Sequence, residues 1–212
     1  SAGVVVNKAA TDGTVVDYVQ GAGETAETVT NLTVTVGPEE TITFAIDDVN
    51  GDYTRITGSA TINIFDLIEV TGSFGVEKKT DQTIYVSSGT AANTAVQANL
   101  LTIGLSNVSA FAGFGEIGLQ LNNVDLAIAL WSEIVASGTP RSWTSVMAAV
   151  GSAAFIGVPG LTMVLTSAGV VVNKAATDGT VVDYVLGAGE TNATSLTVSV
   201  GPEENVTFAI DD

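Results

Sequence analysis

The stretch SAGVVVNKAATDGTVVDYV, at Ser1 to Val19, recurs without a change at Ser167 to Val185. The match continues, because residues 21–48 align with residues 187–212 once a two-residue deletion is allowed. Residues 1–166 therefore form one full long repeat, and residues 167–212 begin the next. We call residues 1–48 the N-terminal copy and residues 167–212 the C-terminal copy. Near-identity over this length predicts a segment of a longer tandem array; a single domain with a duplicated end is the alternative.

Alternation of residue types predicts an all-β fold. Leu126, Ile128 and Leu130 alternate with Ala127 and Ala129, and similar alternation recurs along the chain. A period of two is typical of strands with one buried face. We expect the large aliphatic residues of this stretch to face the core, and the alanines to face away from it.

The junction between the repeats bears on the architecture. The stretch LTMVLTSAGVVVNKA, at residues 161–175, predicts a strand, a corner and a strand, with no linker between residues 166 and 167. A junction without a linker favours an elongated β-solenoid or β-helix-like stack of short strands, in which each coil buries its neighbour's apolar face. Tandem β-sandwich repeats are the alternative. At most one short helix is expected, in the alanine-containing stretches 91–101 or 143–150.

The composition excludes several functional classes. The chain carries 23 Asp and Glu against 6 Lys and Arg, for a net charge of -17, and it has no histidine or cysteine. Nucleic acid is not an expected partner, because six basic residues cannot neutralise many phosphates. Glycine and proline interrupt the longest apolar stretch, so no membrane span is expected. Without histidine and cysteine there is no Ser-His-Asp triad, Cys-His pair or histidine zinc site, and we expect no enzyme.

Two alternatives to a purely structural role keep specific residues in view. An adhesive module that binds a glycan, ice or another surface predicts exposed Trp131 and Trp143, or a flat face of threonines. A polysaccharide-cleaving β-helix enzyme, the remoter alternative, predicts a cleft in which carboxylates converge beside Arg55 or Arg141.

The best local motif is DDVNGDY at residues 47–53. It places Asp48, Asn50 and Asp52 two residues apart, which resembles the opening of an EF-hand or dockerin calcium loop. The motif departs from that pattern at Tyr53, where glycine is expected, and at Ser59, where a bidentate glutamate is expected. The spacing is that of an Asx-rich turn or of a degenerate calcium site, and both alternatives stay open. Calcium is the one cofactor that the sequence suggests.

As a whole, the chain resembles the giant repetitive surface proteins of bacteria, among them adhesins and biofilm-matrix proteins. The resemblance rests on the domain-sized near-identical repeat, on abundant Thr, Val, Ala, Gly and Asp, on few Lys and Arg, and on the absence of cysteine. It implies a structural repeat segment that gives an extracellular or cell-surface fibre its length, stiffness and cohesion, with folding outside the cell that is often aided by calcium.

The resemblance also implies partners. We expect self-association into a fibre or with neighbouring repeats, and a glycan or surface ligand is a further candidate. The partial repeat 167–212 is predicted to pair with another chain by strand addition, because an open strand edge presents unpaired backbone groups.

Overall fold

A computed structural model of the chain describes residues 2–19, 32–35, 41–89, 93–187, 190, 192–202 and 204–210. Within these ranges the chain forms strands and one 3₁₀ turn at Asp48–Asn50, so the all-β prediction is confirmed. No helix in these ranges is long and apolar enough to cross a membrane. The strands are β1 Gly3–Asn7, β2 Thr33–Thr35, β3 Thr41–Thr43, β4 Tyr53–Ile64, β5 Ile68–Ser87, β6 Thr94–Phe114, β7 Ile117–Glu133, β8 Ser142–Ile156, β9 Met163–Leu165, β10 Ala168–Lys174, β11 Val181–Val182, β12 Thr197–Ser199 and β13 Asn205–Thr207.

One large sheet dominates the fold. Its strand order is β1-β4-β5-β6-β7-β8-β10, with β9 paired to β8 and β11 paired to β5, while β2-β3 and β12-β13 form separate hairpins. Every pairing among the described strands is antiparallel. These strands therefore form no stack of parallel coils, and the predicted β-solenoid of short strands is not confirmed.

Bulges bend the long strands at several points. The β5–β6 register shifts between Lys79 and Gln82, where Asp81 has a φ of 57°, and the β6–β7 register shifts near Asn107, which has a φ of 50°. Asp and Asn tolerate this left-handed backbone better than other residues, and bulges increase the local twist of a sheet. The first shift also turns the following even-numbered residues of β5, beginning with Ile84, toward the core.

The sheet closes on itself at the end that carries Trp131 and Trp143. Strand β10 pairs with β8, and β11, only a few residues further along the chain, pairs with β5. The side-chain amide of Asn173 bridges β10 to β11 by donating to the carbonyl of Val182 at 2.7 Å. The strands β5, β6, β7, β8, β10 and β11 therefore enclose a core, whose buried residues are concentrated at this end.

The two faces of the sheet differ from the sequence-based prediction. We call the side that carries Gly75, Glu77, Gly104 and Trp131 the inner face, and the opposite side the outer face. Ala127 and Ala129 are fully buried on the inner face, whereas Leu126, Ile128 and Leu130 lie half-buried on the outer face. The predicted facing of this strand is therefore wrong. The inner face uses small residues because tryptophans and the C-terminal copy already fill the space in front of it.

The local predictions at other places have mixed outcomes. Residues 94–101 and 143–150, from the two alanine-containing stretches, lie in strands β6 and β8 rather than in a helix, because pairing within the large sheet overrides a weak helical preference. Residues 91 and 92 of the first stretch lie outside the described residues. The strand-corner-strand prediction for the repeat junction is confirmed, since only two residues separate β9 from β10.

Candidate assembly surface

The C-terminal copy covers the inner face of the sheet. Its residues Val182, Val198, Val200 and Phe208 are at most 2% exposed. They pack in one cluster with residues of β5 to β8; these are Ile84, Val86, Val96, Ala98, Leu100, Ala127, Ala129, Trp131 and Trp143. Burial of this many apolar side chains is the main favourable contribution to folding in this part of the chain.

A pair of glycines lets the β12-β13 hairpin approach the sheet. Gly75 and Gly104 lie directly opposite each other on β5 and β6. A Cβ atom on either glycine would collide with the carbonyl oxygen of Ser199 in the hairpin. The backbone of the hairpin therefore rests on the backbone of the sheet, and the composition alone gave no sign of this role for the two glycines.

A chain of hydrogen bonds joins the C-terminal copy to the sheet beneath it. The Nε1 of Trp131 donates to the hydroxyl of Tyr184 at 2.9 Å, which donates to the Oγ of Ser145 at 2.8 Å. Ser145 in turn donates to the Oδ1 of Asn173 at 3.0 Å. Burial raises the pKa of Tyr184 to about 12, because an ionised phenol would be poorly solvated there.

An ion-pair network fixes the first turn of the C-terminal copy. Arg141, just before β8, contacts Glu133 at 2.6 Å and Asp178 at 2.9 Å, and its guanidinium lies 5.1 Å from the ring centre of Trp143. Hydrogen bonds from Thr180, with a smaller contribution from Arg141, lower the pKa of Asp178 to about 2. The network is solvent-accessible, so we expect it to set the position of the turn more than the stability.

The N-terminal copy has the same local structure as the C-terminal copy. The side chain of Asn7 donates to the carbonyl of Val16 at 2.7 Å, as Asn173 does to Val182. The Tyr18 and Phe44 rings lie 5.2 Å apart with a 36° tilt, and the matching rings of the C-terminal copy lie 5.1 Å apart with the same tilt. The described parts of the two copies therefore share these local contacts, although Val181–Val182 form β11 and residues 15–16 form no strand.

The surroundings of the two copies differ. Val16, Leu32 and Val34 are 42%, 37% and 40% exposed. Their counterparts Val182, Leu196 and Val198 are 0%, 4% and 0% exposed, because the inner face of the sheet lies against them. The same apolar surface is thus covered in one copy and open to solvent in the other.

The two copies also use opposite strand edges. Strands β1 and β10 stand at the two ends of the antiparallel sheet and run in the same direction, since six antiparallel steps separate them. Asn7, opposite Tyr53, and Asn173, opposite Ser145, both point to the inner face. The strands β1 and β10 thus share their direction and their inner face, but β4 lies on one side of β1 and β8 lies on the other side of β10. They therefore pair through opposite edges. One copy of this strand could therefore pair with a β8 and a β4 at once.

The predicted calcium residues separate in the structure. Asp48 joins Asp17 and Asp47, whose carboxylate oxygens all lie within 4.8 Å of one another. Asp52 instead forms an ion pair with Lys8 at 2.5 Å, and Asn50 donates its side-chain amide to the carbonyl of Asp47. Sequence spacing did not reveal Asp17, which the fold brings from a distant part of the chain. Calcium binding stays a prediction.

The residues named for the binding and enzymatic alternatives are buried or pair with other side chains of the chain. Trp131 and Trp143 are buried in the core rather than exposed. A cleft of about 720 Å³ beside the N-terminal copy contains Arg55, but the buried Glu77 in it contacts Arg55 and Lys79, each at 3.6 Å. The hydroxyl of Tyr53 also donates to Glu77 at 3.0 Å, and burial of the phenol raises the pKa of Tyr53.

Comparison of the chain with protein-family models, with curated proteins and with solved structures gives no match.

Matched substitutions in the two copies should separate covered from open surface. We expect Leu196→Ala to lower the free energy of unfolding by about 2–5 kcal/mol, because it leaves a cavity against the core. Leu32→Ala, at the matching position of the N-terminal copy, should cost less than about 1 kcal/mol. Urea unfolding of both variants measures the difference; equal losses would contradict the two-environment description.

The buried phenol predicts a loss of stability at high pH. The pKa of Tyr184 is higher in the folded chain than in the unfolded one, so its contribution is complete below about pH 10 and is lost as the pH rises toward about 12. Urea unfolding across this range should show a smaller loss in Tyr184→Phe than in the native chain. Tyr18→Phe is the matched control, and a pH dependence unchanged by Tyr184→Phe would refute the assignment.

Proposed function

We propose that the chain is a structural repeat segment of a giant extracellular fibrous or matrix protein, and that it provides length, stiffness and cohesion. The observation that supports this proposal best is the position of the C-terminal copy, whose sequence begins a further repeat and yet completes the core of residues 1–166. A repeat that needs the start of its successor for its core is interlocked with it, unlike separate domains joined by a linker.

In place of the coils of short strands expected from the sequence, we propose that whole repeats stack along the fibre. As β1 the repeated strand pairs with β4, and as β10 it pairs with β8, through opposite edges. In the proposed array one copy would make both pairings, with β4 of its own repeat and with β8 of the preceding repeat. Such a strand would carry one antiparallel sheet from repeat to repeat. Continuous backbone pairing resists bending and extension better than a flexible linker does, which suits a stiffening role.

Self-association is part of the same proposal. The outer face presents exposed Val4, Val6, Val170 and Val172 beside the half-buried aliphatic residues of β7. Contiguous apolar surface of this kind is typical of faces that contact another protein. The net charge of -17 would keep the rest of the surface soluble.

The location proposed for the fibre is extracellular or on the cell surface, which follows from the resemblance in composition and repeat size. The absence of cysteine is compatible with export in an unfolded state, since no disulfide has to form on refolding. An adhesive role toward a glycan or another surface is the alternative. It has no exposed tryptophan to support it, because both tryptophans are buried.

The mass of the native product tests this proposal. An antibody against the segment should detect, in the extracellular or cell-surface fraction under denaturing conditions, a chain many times heavier than 21.4 kDa. Peptide sequencing should find several near-identical copies of the 166-residue repeat in that product. A native product of about 21.4 kDa, or one confined to the cell interior, would refute the proposal.

Calcium binding is tested by thermal unfolding. If the carboxylates near Asp48 bind calcium, the melting temperature should be clearly lower in excess chelator than in calcium, because a ligand that binds the folded state stabilises it. The double variant Asp47→Asn and Asp48→Asn should lose this difference, whereas Asp66→Asn, in the exposed β4-β5 turn, should keep it. The same melting temperature in both conditions would remove calcium from the proposal.

A further inference from the structure

We propose that the N-terminal copy is a docking element for another molecule of this chain. It would bind the inner face and the β8 edge of that molecule as the C-terminal copy binds those of its own. The inference rests on the proposed function, because it applies the contact proposed between neighbouring repeats of one chain to repeats of separate molecules. The partner is thus a second molecule of the same chain, and the contact is head to tail.

The free edge of β1 defines the backbone part of this junction. In the C-terminal copy, Val172 lies opposite Val146 and Asn173 lies opposite Ser145. The identical residues of the N-terminal copy are Val6 and Asn7, whose strand pairs with β4 on one side and ends the sheet on the other. Placed on the β8 edge of another molecule, Val6 would lie opposite that molecule's Val146.

The apolar part of the junction follows from the exposed residues. Val16, Leu32 and Val34 would enter the positions that Val182, Leu196 and Val198 occupy against the inner face, and would leave water as those residues do. Within the described part of the two copies, the residues that differ are conservative in size. They are Thr35 for Ser199, Thr41 for Asn205 and Ile42 for Val206.

Polar groups of the N-terminal copy also match the surface that holds the C-terminal copy, which we call the acceptor surface. The hydroxyl of Tyr184 bonds to Trp131 and Ser145, whereas the Tyr18 hydroxyl makes no hydrogen bond within the described residues. Asp12 and Asp178 each accept hydrogen bonds from the threonine two residues later, but only Asp178 also pairs with Arg141. Docking on another molecule would give Tyr18 and Asp12 the partners that their counterparts already have.

In the folded chain the C-terminal copy occupies the acceptor surface, so docking between molecules requires exchange. The substitution Val182→Asp should open the acceptor, because Val182 is fully buried and an unpaired carboxylate there is costly. Val16→Asp alters the matching residue of the N-terminal copy, where the side chain is already exposed to water. The two substitutions therefore act on the acceptor and on the docking element separately.

The test is the mass in solution of the full chain carrying these substitutions. By sedimentation, V182D should show at least a twofold, concentration-dependent rise in mass relative to the native chain. V16D alone should match the native chain, and the double variant V16D/V182D should return to the monomer mass. A folded but monomeric V182D, or association that persists in the double variant, would overturn the inference.

If V182D fails to fold, disulfide cross-linking in a chain that keeps Val182 tests the inference instead. The chain has no cysteine, so V6C/V146C places two thiols that the proposed junction brings face to face between molecules. Within one molecule these residues lie on β1 and β8, near opposite ends of the sheet order. Oxidation after refolding from urea at high protein concentration should give a ladder of covalent multimers.

The register of that ladder is controlled by V6C/A148C, in which Ala148 is the residue opposite Val170 and hence out of register with Val6. The in-register pair should cross-link at least roughly fivefold more. Equal yields, or no multimers from V6C/V146C, would overturn the inference. If cross-linking fails but the native product contains many repeats, the proposed fibre is retained and this junction is rejected. If cross-linking succeeds but the native product is small, the fibre is rejected and the docking contact is retained.

Discussion

The contact between the repeated segment and the inner face of the sheet is the interaction on which the rest of this structure depends. Residues 1–166 form a curled sheet whose inner face carries two tryptophans and a floor of alanines and glycines. That face needs a cover, because tryptophans and aliphatic residues in water would forfeit most of the apolar burial that stabilises a domain. The cover is the C-terminal copy, with β11 closing the ring of strands and the β12-β13 hairpin resting on Gly75 and Gly104.

The same contact suggests why the segment is repeated. In the proposed array, one segment would complete the preceding repeat and begin its own sheet, and this would couple the folding of neighbouring repeats. The opposite-edge pairing of β1 and β10 would provide the backbone part of this coupling, and the buried apolar residues from Val182 to Ile210 would provide the side-chain part. The absence of drift between residues 1–19 and 167–185 fits a segment that must satisfy both roles at once.

Part of this fold could be predicted from the sequence, and part could not. Alternation and turn residues predicted strands, and the junction at residues 161–175 predicted two strands without a linker, because these features depend on near neighbours. The facing of β7 was predicted wrongly. Both faces of Leu126 to Leu130 are apolar, and only the packing of Trp131, Trp143 and Tyr184 requires the alanines to point inward. The meeting of Asp17 with Asp48 also depends on contacts between distant parts of the chain.

The sequence by itself determined the all-β class, the repeat of 166 residues, the acidic surface and the absence of histidine and cysteine chemistry. These properties are written in composition and local order, and no long-range contact is needed to find them. The tertiary structure alone decided which copy of an identical segment is buried. Val16 and Val182 share the same neighbours in sequence, and they differ only because a sheet lies against one of them and not the other. Burial depends on the residues that surround a side chain, and two copies of one sequence can have different surroundings in the same fold.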